Sequence, residues 1–278
     1  MKPRPILTAV LPALLLLVSS CTQVAITGRK QLNIVPDPMV NSMALDEYHS
    51  FLKDNKLSTD PQAAAMVHEV GKRISQAVET YFHQQGMADR IADFQWEFNL
   101  VDNDEKNAWC MPGGKVVIYT GILPVTQDEN GLAVVMSHEI AHAVARHGNE
   151  RMSQELVFQM GGIALSTAMK DYPDATRQIF MTSYGLGGEV GVLLPYSRVQ
   201  ESEADHLGLI FMGMAGYNPQ TAVEFWQRMA ASKDGAAAPE FLSTHPSDRT
   251  RIEKIKQELP EAMRYYYQAT GQTPPAYQ

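Results

Sequence analysis

Two histidines and a glutamate occupy one short stretch, Ser137-His138-Glu139-Ile140-Ala141-His142. On a helix, His138 and His142 lie on one face one turn apart, a spacing that lets two imidazoles bind one zinc ion. The carboxylate of Glu139 lies beside them and could accept a proton from water while the metal polarises a peptide carbonyl. Histidines that only pack or form hydrogen bonds would give the same short pattern by chance, so the rest of the chain must decide.

The residues around this stretch predict a buried helix. Between Leu132 and Ala145 the only charged residue is Glu139, as expected for a helix in the interior of a domain. Thr126-Gln127-Asp128-Glu129 has the pattern of a capping box, so we expect Thr126 to be the N-cap. Gly148 is the predicted terminator.

A catalytic zinc ion usually takes three protein ligands, so the two histidines need a third. The candidates are His147, His206, His245 and the acidic cluster Glu201-Ser202-Glu203-Ala204-Asp205. The acidic cluster fits best, because Glu201 and Asp205 lie four apart on one helix face: one carboxylate could bind zinc while the other orients a ligand histidine. Glu203, on the opposite side of that helix, is a competing candidate ligand. Alternatively, the whole acidic cluster could lie on a solvated helix surface and bind no metal.

The other elements predict an α+β fold that is mainly helical. Helices are expected over Asp37 to Leu52 and Asp60 to Gln85, and strands over Phe94 to Leu100 and Lys115 to Tyr119. One of these strands could be an edge that receives an extended peptide; an ordinary hairpin covering the core is the alternative. Cys110 is expected to be a buried or half-buried thiol. The Gly-rich segment 185–195 fits either a mobile flap or a packed connector.

The N-terminus predicts export and lipidation. Lys2 and Arg4 precede the apolar stretch Ile6 to Val18, and small residues then lead to Cys21, as at a bacterial lipoprotein cleavage site. We therefore expect a signal peptide over 1–20, a tether over 21–35 that is lipid-anchored at Cys21, one domain over 36–268 and a disordered tail over 269–278. Without an Asp after Cys21, the expected location is the periplasmic face of the outer membrane.

Charge and cysteine content exclude other classes. The formal net charge is −8 with no cluster of basic residues, so nucleic acid is not an expected partner. Two cysteines, Cys21 and Cys110, are too few for a disulfide framework or a cysteine-based metal site.

Taken together, the two zinc motifs resemble those of the membrane-associated zinc metallopeptidases that include the HtpX-type proteases and the CAAX prenyl endopeptidases. The similarity extends over about residues 22 to 258 and is greatest to small lipoprotein members. Further matching stretches are Thr27-Gly28-Arg29, Asn107-Ala108, Pro112-Gly113-Gly114, Tyr196-Ser197-Arg198, and His245-Pro246 with Arg249. The resemblance implies a zincin-type domain whose small β-sheet lies beside the active-site cleft, and endoproteolysis of misfolded or misassembled envelope proteins.

The resemblance also assigns roles to residues. It implies one zinc ion per chain held by His138, His142 and Glu201, with Glu139 as general base and Asp205 as a partner of a ligand histidine. It implies that His245 and Arg249 stabilise the transition state or bind substrate, whereas in some relatives the equivalent histidine caps the zinc ion and keeps the enzyme latent. A chaperone-like assembly lipoprotein with little turnover is the rival function.

Overall fold

A computed structural model describes residues 21–25, 27–170, 172–188, 194–232, 240–245 and 249–274. The chain divides into two compact units. The first comprises residues 1–40 and 146–199, and the second residues 41–145 and 200–278. The predicted signal peptide, the last four residues of the predicted tail (275–278) and part of the Gly-rich segment (189–193) lie outside the described residues. The described helices are α1 (Asp37–Asp54), α2 (Pro61–Gln84), α3 (Leu123–Thr126), α4 (Glu129–Val144), α5 (His147–Ala168), α6 (Asp174–Gly188), α7 (Leu194–Met214), α8 (Thr221–Ala231), α9 (Glu240–Thr244) and α10 (Arg249–Thr270). The strands are β1 (Cys21–Gln23), β2 (Lys30–Leu32), β3 (Glu97–Val101), β4 (Ala108–Met111) and β5 (Lys115–Tyr119).

The first unit joins the N-terminal segment to a pair of helices. Strands β1 and β2 are antiparallel, and β2 packs against α5. Helices α5 and α6 pack through Tyr184, whose hydroxyl donates to the carbonyl of Phe158 at 2.7 Å while the two rings stack. Apolar side chains stay exposed on both helices, including Met160 and Ile163. No helix among the described residues has the length and apolar character needed to span a bilayer.

The second unit contains a mixed sheet in the order β3-β5-β4. Strand β5 is central and buried along its whole length, parallel to β3 and antiparallel to β4. Of the two strands predicted from the sequence, Lys115 to Tyr119 is therefore central, and β3 is the one that lies at an edge of the sheet. The outer edge of β3 is partly covered by a bridge between Leu57 and Val101, whereas no strand among the described residues pairs with the outer edge of β4.

The start of helix α4 differs from the prediction. Thr126 ends the short helix α3, and Gln127 adopts a left-handed conformation with φ 70°. The new helix is therefore capped by Asp128, whose carboxylate accepts from the amide of Gly131 at 2.9 Å. The capping box was misplaced by two residues because Thr126 was already part of a helix.

The end of α4 was also predicted wrongly. The helix stops at Val144, and Arg146 in the left-handed region (φ 61°) redirects the chain so that Gly148 lies inside α5. A left-handed non-glycine residue costs about 1 kcal/mol or more. An ion pair between Arg146 Nη1 and Asp37 Oδ2 at 2.9 Å accompanies this conformation. The helices predicted near residues 37–52 and 60–85 are confirmed, and so is the strand at 115–119.

Candidate metal centre and catalytic site

The two histidines of the first motif project from the same face of helix α4, and their side chains converge. Every residue of α4 from Gly131 to Val144 is buried except His142. His138 and His142 point the same way, with their Nε2 atoms 3.1 Å apart. Helical periodicity alone accounts for this convergence, as the sequence predicted.

Helix α7 adds the third predicted ligand. Glu201 Oε1 lies 3.3 Å from His142 Nε2, and its Oε2 lies 3.4 Å from His138 Nε2. Glu201 is 7% exposed. Among the described residues, the competing candidates Glu203, His147 and His206 are not part of this cluster.

His245 completes the cluster from the end of α9. Its Nδ1 lies 2.9 Å from both carboxylate oxygens of Glu201 and 3.2 Å from His138 Nε2. One donor atom from each of His138, His142, Glu201 and His245 lies within 4.8 Å of all the others. The sequence had offered His245 as one of several candidate ligands, and the resemblance had implied a role for it in catalysis or in capping the zinc ion.

The donor set and its electrostatics fit zinc. Three imidazoles and one carboxylate are the nitrogen and oxygen ligands that Zn²⁺ prefers. Burial works to lower the pKa of His138, but the hydrogen bonds to Asp205 and Glu201 outweigh it and raise that pKa to about 9. Burial likewise works to raise the pKa of Glu201, yet its three histidine neighbours hold that pKa far below its usual value. The cluster thus stabilises positive charge at its centre, whether a proton or a metal ion supplies it.

Asp205 lies next to the far side of the His138 ring, where the predicted supporting role would require it. Its Oδ1 lies 3.0 Å from His138 Nδ1, the nitrogen on the far side of the ring from the cluster. Such a carboxylate fixes the tautomer and orientation of a ligand histidine. Burial works to raise the pKa of Asp205, but the guanidinium of Arg251 and the contact with His138 hold it low.

Arg251 belongs to the site although the sequence analysis passed over it. Its Nε and Nη2 donate to Asp205 Oδ2 and Oδ1 at 2.8 and 2.7 Å, and its Nη1 lies 3.4 Å from Glu201 Oε2. The side chain of Arg249, which had been proposed for the cleft, lies outside the described residues.

Glu139 is buried beside this cluster with an oxygen that is not satisfied. It is 4% exposed, and no described residue forms a hydrogen bond with its Oε1; the nearest ionisable partner is His245, whose Nε2 lies 3.4 Å away. Burial raises the pKa of Glu139 above its usual value, against the opposing effects of His245 and His138. A carboxylate with a raised pKa suits proton transfer near neutral pH.

The fold and this site define a zinc metallopeptidase of the His-Glu-x-x-His type. The model of peptidase family M48 matches residues 61–259, about 72% of the chain (199 of 278 residues), and the chain belongs to that family. The match includes every residue of the cluster as well as Glu139, Asp205 and Arg251.

Curated relatives agree with this assignment. The mitochondrial metalloendopeptidase OMA1 of Schizosaccharomyces pombe is 35% identical over 240 residues, which cover 86% of this chain and 66% of the relative. The corresponding protein of Homo sapiens is 29% identical, with 86% and 46% covered. The β-barrel assembly-enhancing protease of Escherichia coli is 28% identical, with 70% and 39% covered. The chain thus spans from about two fifths to two thirds of the length of these three relatives. They support the family; they do not specifically support the predicted likeness to HtpX-type or CAAX prenyl proteases.

Proposed function

We propose that this zinc metalloendopeptidase acts in the bacterial cell envelope and degrades misfolded or misassembled envelope proteins. The observation that carries the catalytic part of this proposal is the unsatisfied oxygen of buried Glu139 beside the donor cluster. A cluster that only held the fold together would have no need of a carboxylate there. Support for an envelope substrate comes from the relative named as a β-barrel assembly-enhancing protease.

The residues divide the chemistry between them. A zinc ion held by His138, His142 and Glu201 would polarise the scissile carbonyl and the attacking water. Glu139 accepts the proton of that water and delivers it to the leaving amine. Burial raises the pKa of Glu139, which favours its taking up a proton.

Strand β4 is the proposed place for the substrate backbone. Its outer edge has no strand partner among the described residues, and β4 packs against α4, the helix that carries Glu139. Glu139 also acts electrostatically on the thiol of Cys110, the third residue of β4. An extended peptide added to this edge would therefore run past the catalytic carboxylate.

A latent state is the second candidate, and the position of His245 favours it. Four protein donors saturate a tetrahedral zinc ion, and a closed set leaves no position for water. If His245 is such a latch, His245→Ala should increase proteolysis several-fold. If His245 instead assists the transition state, the same change should lower it about 100-fold.

Lipidation of Cys21 and location at the outer membrane remain part of the proposal. They rest on the basic residues, the apolar stretch and the small residues that precede Cys21. Mass spectrometry of the full chain expressed in a bacterium should find a diacylglyceryl group on Cys21, and Cys21→Ala should abolish it and release the protein from the membrane fraction. An unacylated Cys21 in the exported protein would contradict the anchor.

The test of the catalytic proposal compares the full chain with its Glu139→Gln variant on casein and on unfolded outer-membrane porin. Zinc content is measured on both. Wild type should cleave, and the variant should hold zinc without cleaving. If both hold zinc and neither cleaves, while His245→Ala also stays inactive, the peptidase proposal fails and the chaperone-like function takes its place.

A further inference from the structure

The cluster is supported on one side by an aromatic side chain with no ligand role of its own. Trp226, on α8, is 1% exposed and is one of the largest buried side chains of the chain. Its ring meets His138 edge to face, with the centroids 5.9 Å apart. A tryptophan beside a metal site could simply fill the core, so its other contacts decide whether it does more.

The first of these contacts is with Arg251. The guanidinium carbon of Arg251 lies 3.4 Å from the centroid of the Trp226 ring. A cation is attracted to the negative face of an indole, and the attraction is stronger when the pair is buried away from water. Because Arg251 also makes a bidentate pair with Asp205, the indole holds in place the arginine that orients the partner of His138.

The second contact leads to His245. Trp226 stacks on Phe241, with 5.7 Å between centroids and 23° between planes, and Phe241 in turn lies 4.8 Å from the His245 ring. Phe241 is fully buried, and its amide donates to the carbonyl of Lys106 at 3.1 Å. Helix α9 has only the five residues Glu240–Thr244, which is too short to be rigid by itself. Its position must therefore come from contacts such as these.

Arg251, the first contact of Trp226, also contacts His245 directly. Its Nη1 lies 3.3 Å from the backbone carbonyl of His245, in donor geometry. Trp226 thus acts on His245 through Phe241 on one side and through Arg251 on the other. By contrast, His138, His142 and Glu201 sit on the long helices α4 and α7, whose own packing fixes them.

We propose that Trp226 is a positioning residue that determines whether His245 lies within the metal-binding cluster. Loss of the indole frees α9 and Arg251 together, so that His245 leaves the cluster while the other three donors stay. This inference depends on the donor set, not on the proposed substrates, so either can fail without the other.

The test measures coordination, because activity alone would not distinguish this role from general destabilisation. The full chain and its variants are loaded with Co²⁺, whose visible absorption reports coordination geometry, and zinc affinity is measured by competition with a chelator. Trp226→Leu should give the same Co²⁺ spectrum as His245→Ala and lower zinc affinity about 10-fold or more. The double variant should show no further change. Trp226→Phe should retain most of the wild-type spectrum, because it keeps an aromatic face for Arg251 and Phe241.

Phe211→Leu is the matched control. Phe211 is fully buried in the same unit and contacts Tyr81, at 6.1 Å between ring centroids. This variant should lower the melting temperature without altering the Co²⁺ spectrum. If Trp226→Leu does so too, Trp226 is only a core residue and the proposal is wrong.

A folding failure of Trp226→Leu would leave the decision to Phe241→Leu. This change removes the ring that joins Trp226 to His245, together with its more distant contact with His138 at 6.4 Å between centroids, and should shift the Co²⁺ spectrum towards that of His245→Ala. A wild-type spectrum for this variant would overturn the proposal.

Discussion

Two glutamates eleven residues apart are both buried. Among the described residues, both carboxylate oxygens of one accept hydrogen bonds, whereas one oxygen of the other does not. Glu150, in the first unit, is 0% exposed and accepts from Arg29 Nη1 and Nη2 at 2.7 Å each. Glu139, in the second, is 4% exposed, and its Oε1 has no hydrogen-bond partner within the part of the chain that the structure describes. Buried charge is therefore not in itself a sign of function.

The polar side chains next to Glu150 are also hydrogen-bonded. Next to it on α5, Asn149 donates to the carbonyl of Val35 at 3.0 Å and to Asp37 Oδ1 at 2.9 Å. Ser153 Oγ accepts from the amide of Ile34 at 2.9 Å. These contacts fasten the N-terminal segment to α5. A satisfied network of this kind gives a defined structure, whereas an unsatisfied carboxylate beside a donor cluster is available for chemistry.

The largest effect should come from Glu139→Gln. Because the amide cannot accept a proton, we expect peptide cleavage to fall by about 10³-fold or more. Thermal stability should stay the same or rise, because a buried carboxylate with a raised pKa is replaced by a neutral group. Initial cleavage rates and melting curves measure the two effects. A variant with cleavage within about 10-fold of wild type would remove Glu139 from the role of base.

Glu150→Gln should show the opposite pattern. The change leaves the Arg29 guanidinium, 19% exposed, without its charged partner, and we expect a loss of about 2 kcal/mol in the free energy of unfolding. Cleavage by the folded protein should stay within about two-fold. Urea unfolding of Glu150→Gln, Arg29→Ala and the double variant gives the coupling energy of the pair. A coupling near zero would show that the ion pair does not hold the segment.

Asp205→Asn tests the support behind the ligands. The amide keeps the shape of Asp205 but loses the charge that holds Arg251 and favours a cation at the site. Zinc affinity should fall about 10- to 100-fold, as measured by chelator competition. Asp174→Asn is the control, because the carboxylate of Asp174 is 90% exposed in its pair with Arg177. Equal affinities for the two variants would exclude a role for Asp205 in metal binding.

The smallest effect concerns Glu258, whose buried Oε2 has no hydrogen-bond partner among the described residues and lies 3.8 Å from His206 Nδ1. Burial, with the nearby Asp205, raises the pKa of Glu258 to about 7 from its usual 4.5. The folded state therefore carries an unfavourable charge above about pH 7, which protonation relieves as the pH falls towards 4.5. Glu258→Gln should stabilise the protein by about 1–2 kcal/mol at pH 8, after allowance for solvent screening.

The pH dependence of this stabilisation shows whether it comes from the ionisation of Glu258. In urea unfolding, the stability difference between Glu258→Gln and wild type should shrink below about pH 7 and vanish below about pH 4.5. Glu253→Gln, on the same helix with its carboxylate 64% exposed, should show no such gain. A gain that does not change with pH would mean that packing, not ionisation, is responsible.

Local patterns predicted the parts of the site that lie on single helices. His138 and His142 converge because residues four apart share a helix face, and Glu201 and Asp205 follow the same rule on α7. The apolar sequence around Glu139 also predicted its burial. These residues needed no knowledge of the rest of the fold.

Patterns failed where neighbouring elements compete for the same residues. Thr126 has the sequence signature of an N-cap, but it is already the last residue of a short helix that begins at Leu123 and has Pro124 in its first turn. Gly148 looks like a terminator, but the chain turns at Arg146, which pairs with Asp37 more than a hundred residues earlier. Local propensity is weak enough for such contacts to override it.

The sequence by itself determined the chemistry of this protein: a His-Glu-x-x-His helix, a second acidic helix and the metal that they bind. Only the tertiary structure decided that His245 joins the donors and that Arg251 pairs with Asp205. It also decided that both carboxylate oxygens of Glu150 accept hydrogen bonds from Arg29, whereas Glu139 Oε1 has no such partner among the described residues. The reason is physical. Ligands on one helix are positioned by its 3.6-residue repeat, whereas contacts between distant segments depend on how the whole chain packs.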